Sequence, residues 1–360
     1  MTIISEYFND FCQERNIKKS TIKGYKTSIN KYTTYYNMSL DELIDEALHE
    51  EDEKIPLRHR SLKRRLLQFR TFLLDETDLE VTTIELHLTR IKALYSHFEV
   101  ELPKISSLKD NRVELTFLDL PTRRHIYEAV GLTGLKIGSL ILFMGSSGTG
   151  RKECSELRVC DVIDACQEYI KKNNGSVKSI LEELYAYKGT IVPTFKLLRF
   201  KTGKTYYTFC TDEAIRYMIR WLLLKMDMLE FRGKELGYDD KVWDLSKRQI
   251  SYHFQSVNDQ LGWGYKRKYR FFRPHTLRKF MASNIGLSEE NVDFLQGRSK
   301  DKLHATYIKA NPNRLKELYM SVMDNVTILH REERIIRNEE FNIILHIHFH
   351  GDKSIENIIL

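Results

Sequence analysis

Apolar residues recur every three or four positions over much of this chain, which is the spacing of an amphipathic helix. Two sets in the first hundred residues follow it: Ile22, Tyr25, Ile29 and Tyr32, and then Ile84, Leu88, Ile91, Tyr95 and Phe98. Ser20 and Thr21 come just before the first set, and both are residue types that cap the N-termini of helices. The pattern predicts that the N-terminal region is helical.

The pattern changes further along the chain. Residues 101–112, ELPKISSLKDNR, have no periodicity and predict a linker, whereas residues 126–142, 214–228 and 274–285 return to helical spacing. Residues 197–210, LLRFKTGKTYYTFC, have two alternating arms around a glycine-containing turn and predict a β-hairpin. Pro274 suits the first turn of a helix. We therefore expect a mainly α protein with a small antiparallel β-sheet.

Length and composition are those of a globular protein with two domains. The chain has 360 residues, of which 42% are hydrophobic and 30% charged, so each domain is able to bury its own core. We expect a helical domain at 1–104, a linker at 105–112, an α+β domain at 113–330 and a C-terminal tail at 331–360. The five cysteines form no C-x-x-C pair, which favours reduced, mostly buried thiols.

The sequence gives no sign of a membrane protein. No apolar run reaches the roughly 18 residues that cross a bilayer, and the first residues, MTIISEYFND, lack the basic start and apolar stretch of a signal peptide. We expect no membrane partner, and a location in the cytoplasm with the nucleoid, or in the host cell if the chain is viral.

Positive charge is clustered rather than spread evenly. The net charge is +7, which permits nucleic-acid binding without establishing it. An acidic stretch, DELIDEALHEEDE, is followed closely by a basic one, RHRSLKRRLLQFR, and a later run, YKRKYRFFRPH, alternates aromatic and basic residues. The candidates for DNA phosphate contacts are Lys18, Lys19, Lys23, Lys26, Arg64, Arg65, Lys266, Arg267, Lys268 and Arg270. For each of them, a solvated helix face or loop is the alternative interpretation.

The second domain carries residues that suit phosphodiester chemistry without a metal. Such a reaction needs a nucleophile, cations for the non-bridging oxygens and an acid for the departing oxygen. His275 and Arg278 stand three residues apart in a predicted helix and project from one face. Gly297-Arg298 follows, and Tyr307 lies nine residues after Arg298, in HATYIKA. A phenol fits the role of nucleophile.

This ordered set resembles the tyrosine recombinase family, whose pattern is Arg, Lys, His-x-x-Arg, His or Trp, and Tyr. The segment GSSGTGRKECSELRVCDV is similar to the surroundings of the first arginine, which makes Arg151 its counterpart. The segment RFKTGKTYYTF is similar to the hairpin that carries the lysine, with Lys201 as counterpart and Lys204 as the alternative.

Two departures from the family pattern stand out. Arg151 lies about one residue closer to Asp161 than is usual, and its Ser-Glu pair falls two positions late. Arg298 stands where relatives usually have His or Trp. An arginine at that position still donates hydrogen bonds to a phosphate.

The N-terminal region adds a further likeness. FNDFCQERNIKKSTIKGYKTSINKY and TTIELHLTRIKALYSHF resemble the helical core-binding domain that precedes the catalytic domain in many integrases, so the resemblance covers both domains. It implies a site-specific DNA recombinase in which Tyr307 forms a 3′-phosphotyrosyl link. Arg151 and Arg278 would bind the non-bridging oxygens, His275 and Arg298 would add hydrogen bonds, and Lys201 would protonate the leaving 5′-oxygen.

The resemblance also implies the partners: a double-stranded recombination site, a homotetramer on that DNA and possible accessory host factors. No metal or cofactor is expected. The alternatives are an enzyme like a type IB topoisomerase, a catalytically inactive DNA-binding relative, and a helical scaffold protein. His346, His348 and His350 alternate near the end of the chain, which fits the polar edge of a strand better than a metal site.

Overall fold

A computed structural model describes residues 5–109, 116–171, 175–298 and 311–329. The chain divides into two compact units, Met1–Glu114 and Leu115–Leu360. The expected nucleophile Tyr307, the tail 331–360 and its three alternating histidines lie outside the described residues.

The first unit is built of helices in the part that the structure describes. They are α1 (Glu6–Glu14), α2 (Lys19–Tyr36), α3 (Leu40–Asp52), α4 (Ser61–Asp75) and α5 (Val81–His97). Their inward faces form one core, in which the rings of Tyr32 and Phe69 meet edge to face with centroids 5.1 Å apart. The predicted cap at Ser20 and Thr21 is wrong, because Lys18, two to three residues earlier, takes the capping position of α2.

The acidic and basic stretches form α3 and α4, and they neutralise each other in part. Arg65 pairs with Glu46 at 2.5 Å, and Arg60 pairs with Glu51. Charge that is segregated along the sequence is thus brought together in space. These pairs reduce the net positive charge that the basic stretch presents.

Residues 105–109, which the sequence assigned to the linker, belong to the first unit and contact its helices. Arg70 donates a hydrogen bond to the backbone oxygen of Ser106 at 2.7 Å, and the backbone N–H of Leu108 donates to Glu85 at 2.9 Å. Ile105 and Leu108 also pack against the core of this unit.

The second unit is mainly α with small antiparallel sheets, as predicted. Its helices are α6 (Arg123–Leu132), α7 (Leu135–Ser147), α8 (Arg151–Glu156), α9 (Val159–Ala165), α10 (Val177–Ala186), α11 (Asp212–Glu230), α12 (Lys247–Gln260), α13 (Pro274–Asn284), α14 (Glu289–Leu295) and α15 (Pro312–Val322). Its strands are β1 (Thr194–Arg199), β2 (Lys204–Phe209), β3 (Tyr265–Lys266) and β4 (Tyr269–Arg270). The hairpin of β1 and β2 pairs Thr194 with Phe209 and Arg199 with Lys204.

Helix α7 lies at the centre of this unit. Every residue from Ile137 to Ser147 is buried, and the helix packs against α6, α11 and α13. The single helix predicted over 126–142 is two helices, because Thr133 is extended and Gly134 takes the capping position of α7. Gly148 ends α7 in the left-handed region, with φ +65°.

The cysteines are unbonded thiols, and three of the five are buried, namely Cys154, Cys166 and Cys210. This agrees with the prediction from their spacing. In the part of the chain that the structure describes, no helix is long and apolar enough to span a bilayer.

Candidate active site

Helix α13 places two of the expected catalytic residues. Pro274 occupies its first turn, and the backbone N–H of Arg273 donates to the hydroxyl of Thr276 at 3.1 Å, which fixes the start of the helix. His275 and Arg278 follow three residues apart. His275 is exposed, whereas Arg278 is only 5% exposed.

Arg278 joins three segments of the second unit. Its Nη1 donates to the backbone oxygen of Gly148 at 2.6 Å, and its Nη2 donates to that of Gln296, also at 2.6 Å. The Gln296 side chain returns a hydrogen bond to the backbone oxygen of Arg278 at 3.0 Å. The end of α7, the middle of α13 and the end of α14 are therefore fixed to one guanidinium.

The positive charge of Arg278 has dipoles rather than a carboxylate as its hydrogen-bond partners. Burial, together with the neighbouring charges of Arg199 and Arg298, lowers the pKa of Arg278 to about 10. A buried cation of this kind is incompletely compensated. The arrangement favours the binding of an anion.

The turn that ends α14 positions Arg298. Gly297 has φ +60°, its N–H donates to Phe294, and the N–H of Arg298 donates to the backbone oxygen of Asp293 at 2.8 Å. This is the Schellman pattern of helix termination, which requires a left-handed residue. The Arg298 side chain is 43% exposed and lies 3.8 Å from the Asp293 carboxylate. Together with Lys279 it lines a cavity of about 320 Å³.

His275 is neutral near pH 7. The pKa of His275 is lowered to about 4. The largest cause is loss of hydration around the ring, although the residue as a whole is exposed. The positive charges of nearby side chains act in the same direction, namely those of Arg273, Lys279, Arg278 and Arg298. A neutral imidazole has one nitrogen that donates a hydrogen bond and one that accepts. The structure thus brings His275, Arg278 and Arg298 into one positively charged region.

Arg151 is directed elsewhere. It is the first residue of α8, it is exposed, and its Nη1 donates to the hydroxyl of Ser251 on α12 at 2.5 Å. Lys201 lies in the turn between β1 and β2, and Lys204 begins β2; both are exposed. The assignment of Arg151 and Lys201 to catalysis remains a prediction.

A further arginine was missed from the sequence. Arg199 ends β1, pairs with the buried Glu153, and lies close enough to Arg278 to lower its pKa. The sequence did contain a signal for this arginine, namely its position in the alternation of β1, because side chains two residues apart in a strand lie on the same face. Arg199 is therefore on the same face as the buried Phe195 and Leu197, where a charged residue needs a specific partner.

The lysines proposed for DNA binding in the first unit are exposed. Lys18 caps α2, and Lys19, Lys23 and Lys26 follow along it. Arg64 is exposed on α4. Arg65 instead packs inward, with its guanidinium over the ring of Tyr36 at 4.8 Å and its charge paired with Glu46.

The basic run in the second unit forms the hairpin of β3 and β4. Arg267 is in its two-residue turn with φ +58°, beside the exposed Lys268. Arg270 makes two hydrogen bonds to Asp259, at 2.7 and 2.8 Å, and Lys266 lies 3.1 Å from Asp119. Arg270 and Lys266, which were expected to contact phosphates, therefore already have carboxylate partners.

No protein-family model and no curated protein matches the chain. Comparison with solved structures finds similar proteins. A XerH site-specific recombinase bound to difH substrate is 14% identical, with a TM-score of 0.49, and the match covers 86% of this chain and 82% of that one. A lambda integrase tetramer bound to a Holliday junction is 14% identical, with a TM-score of 0.48 and coverages of 84% and 75%.

A third similar structure is XerA recombinase, at 14% identity and a TM-score of 0.34, with coverages of 88% and 96%. Two of these three structures are recombinases and one is an integrase.

Proposed function

We propose that this protein is a site-specific DNA recombinase that cuts and rejoins DNA through a covalent bond between Tyr307 and a phosphate. The observation that carries the proposal is the buried guanidinium of Arg278, held by two backbone oxygens next to His275 and Arg298. A scissile phosphate is an anion that such a site would bind.

The proposed reaction is a transfer between oxygens on phosphorus. The Tyr307 hydroxyl releases its proton to solvent as its oxygen forms a bond to phosphorus. The bond between phosphorus and the 5′-oxygen breaks, and Lys201 gives that oxygen a proton, with Lys204 as the alternative donor. The product is a 3′-phosphotyrosyl link and a free 5′-hydroxyl, which later attacks the link on a partner strand. Arginine side chains stabilise the charge that develops on the non-bridging oxygens, and no metal or cofactor takes part.

The resemblance of the N-terminal region to a core-binding domain favours recombination between two duplexes. Exchange of both strands requires four cleavage events, so we propose a homotetramer on double-stranded DNA, with Lys18, Lys19, Lys23 and Lys26 of the first unit contacting phosphates. Mass measurement of the protein with its DNA checks the assembly. Complexes that contain one protomer and relax supercoiled DNA without strand exchange would favour a topoisomerase instead.

The test is covalent trapping. A randomised pool of nicked duplexes is incubated with the protein, because the short fragment beyond the nick diffuses away after cleavage and leaves the adduct stranded. We expect a denaturant-resistant protein–DNA adduct with the wild-type chain and none with Tyr307→Phe. DNA binding without any adduct would identify a catalytically inactive relative.

A further inference from the structure

Two arginines from different elements meet the same short segment. Residues 148–150 connect α7 to α8, and Arg278 binds the backbone oxygen of Gly148 at one end of the segment. At the other end, a Cβ placed on Gly150 would be 3.2 Å from Nη1 of Arg199. Three residues span only about 10 Å even when fully extended, so the two guanidiniums are neighbours.

The position of Arg199 is built into the fold. It lies at the end of β1 on the core-facing side of the strand, with its side chain 19% exposed, and pairs with Glu153, whose side chain is 3% exposed. Gly150 makes room for this pair, since a Cβ there would stand 2.5 Å from the Glu153 carboxylate. A larger residue at position 150 would therefore displace the pair.

The charges around this point do not cancel. Arg199, Arg278 and Arg298 are close enough for Arg199 and Arg298 both to lower the pKa of Arg278. Glu153 pairs with Arg199 and Asp293 lies 3.8 Å from Arg298, so these three cations face two carboxylates among the described residues. The buried hydroxyl of Tyr206 belongs to the same group of charges and has no hydrogen-bond partner in the described part of the chain. Excess positive charge and an unpartnered hydroxyl are both features that an oxyanion would satisfy.

We propose that Arg199, supplied by the β-hairpin, acts with Arg278 as the pair of guanidiniums that holds the non-bridging oxygens of the scissile phosphate. The family resemblance gave this role to Arg151, whose side chain is directed to Ser251 on α12. The inference rests on the proposed function, because the phosphate is that of the DNA. Arg199 is then a catalytic residue, and Glu153 is a positioning residue that acts through it.

The first experiment measures anion binding without DNA. Inorganic phosphate is titrated against the full chain, with chloride at equal ionic strength, and the rise in Tm gives the affinity. The test variant is Arg199→Gln with Glu153→Gln, which removes both charges of the pair and leaves no lone buried carboxylate. The matched control is Arg220→Gln, at an exposed arginine on α11.

We expect the wild-type chain and the control to bind phosphate, and the double variant to bind at least about tenfold more weakly because it loses a charge-assisted contact. Equal affinity in the double variant and the wild type would overturn the inference, and so would a wild-type chain that binds no phosphate. These results do not depend on whether Tyr307 forms an adduct. Failure of the inference about Arg199 can therefore be distinguished from failure of the proposed function.

The second experiment asks whether Arg199 acts on the phosphate charge. The substrate is a nicked duplex that the wild-type protein has selected as an adduct, made either with its normal scissile phosphate or with a neutral methylphosphonate there. On the normal substrate we expect the double variant to form adduct about 10²-fold more slowly. On the methylphosphonate, which has no anionic charge to neutralise, its rate should approach that of the wild-type chain.

A purely structural role for Arg199 predicts equal losses on both substrates, and that result would contradict the inference. Arg151→Gln is compared in the same assay. The role would return to Arg151 on two conditions. The rate of adduct formation by Arg151→Gln would be reduced on the normal substrate but not on the methylphosphonate, and the rate of the Arg199 variant would be reduced on both substrates.

Discussion

At the scale of single residues, the site depends on a cation whose hydrogen-bond partners, among the described residues, are backbone oxygens rather than a carboxylate. Arg278 is almost fully buried and is bound to backbone oxygens. Removing a charge from water costs free energy that hydrogen bonds to dipoles offset only in part, and repulsion from Arg199 and Arg298 adds to that cost. An anion in the site would reduce both the desolvation cost and the repulsion, which makes the binding of a phosphate favourable.

Arg278→Lys tests the need for a forked guanidinium. A lysine keeps the charge but offers a single ammonium group, which is poorly matched to two oxygens in different segments. We expect covalent adduct formation to fall about 10²-fold or more, while Arg220→Lys stays at the wild-type rate. Adduct formation by Arg278→Lys at the wild-type rate would show that the fork is unnecessary.

His275 gives a prediction about pH. Its pKa is lowered to about 4 in the folded chain, below its ordinary value near 6.5, so folding favours the neutral ring. The stability that this contributes is present above pH 6.5 and is lost as the pH falls towards 4. We expect the wild-type chain to lose more stability than His275→Gln over that window, and NMR titration of the ring to show a midpoint below 5. A midpoint near 6.5 would contradict the prediction.

At the scale of elements, the ends of helices position the site. Gly148 ends α7 and offers its oxygen to Arg278, while the turn at Gly297 ends α14 and orients Arg298. The start of α13 sets the direction of His275. The expected chemistry therefore depends on three helix termini as much as on the side chains themselves.

Gly297→Ala tests the second of these termini. A left-handed φ costs an alanine about 1 kcal/mol, and the new Cβ would also lie 2.7 Å from the ring of Tyr206. Gly203 also has positive φ, but nothing lies within 4 Å of a Cβ built there, so Gly203→Ala is the matched control. We expect Gly297→Ala to lower the free energy of unfolding in urea clearly more than Gly203→Ala. An equal loss in the free energy of unfolding for the two variants would mean that the Tyr206 ring moves away from the new Cβ without a loss of stability.

The lysines of α2 and Arg65 are expected to respond differently to mutation. Each of Lys23→Gln and Lys26→Gln should reduce the slope of log affinity for DNA against log salt by about one, since each removes one phosphate contact. Arg65→Gln should instead lower the stability of the first unit, because it removes the pair with Glu46. An unchanged salt slope in both lysine variants would exclude α2 from the DNA interface.

Much of the fold was predictable where periodicity was strong. The helices at α11 and α13 and the hairpin of β1 and β2 are where the spacing of apolar residues indicated them. The break before α7 was missed because that helix is buried on all sides, so its apolar residues show no face. The two-residue strands β3 and β4 are too short to produce an alternating pattern.

The candidate site was predictable only in part. His275 and Arg278 follow from helical spacing, since both belong to one element. The alternation of β1 could place Arg199 on the core face of the strand, but its closeness to residues on α8 and α13 is set by tertiary packing and could not be predicted from local sequence. Its pairing with Glu153 also explains why a charged side chain is tolerated on the core face of β1.

At the scale of the whole molecule, each of the two units has its own core and its own proposed task. The first unit presents lysines along α2, and the second contains the arginine cluster and His275. This division suits a protein that binds a duplex through many phosphates and cleaves the DNA at one of them. Phosphate contacts supply most of the affinity for DNA.

Covalent trapping on nicked duplexes tests the central claim most directly, because it asks whether Tyr307 forms a covalent bond to a DNA phosphate. The expected result is an adduct that survives denaturation, that yields a peptide containing DNA-linked Tyr307 on proteolysis, and that disappears in Tyr307→Phe. An adduct that persists in Tyr307→Phe, or its absence from the wild-type chain with every member of the pool, would contradict the proposed reaction.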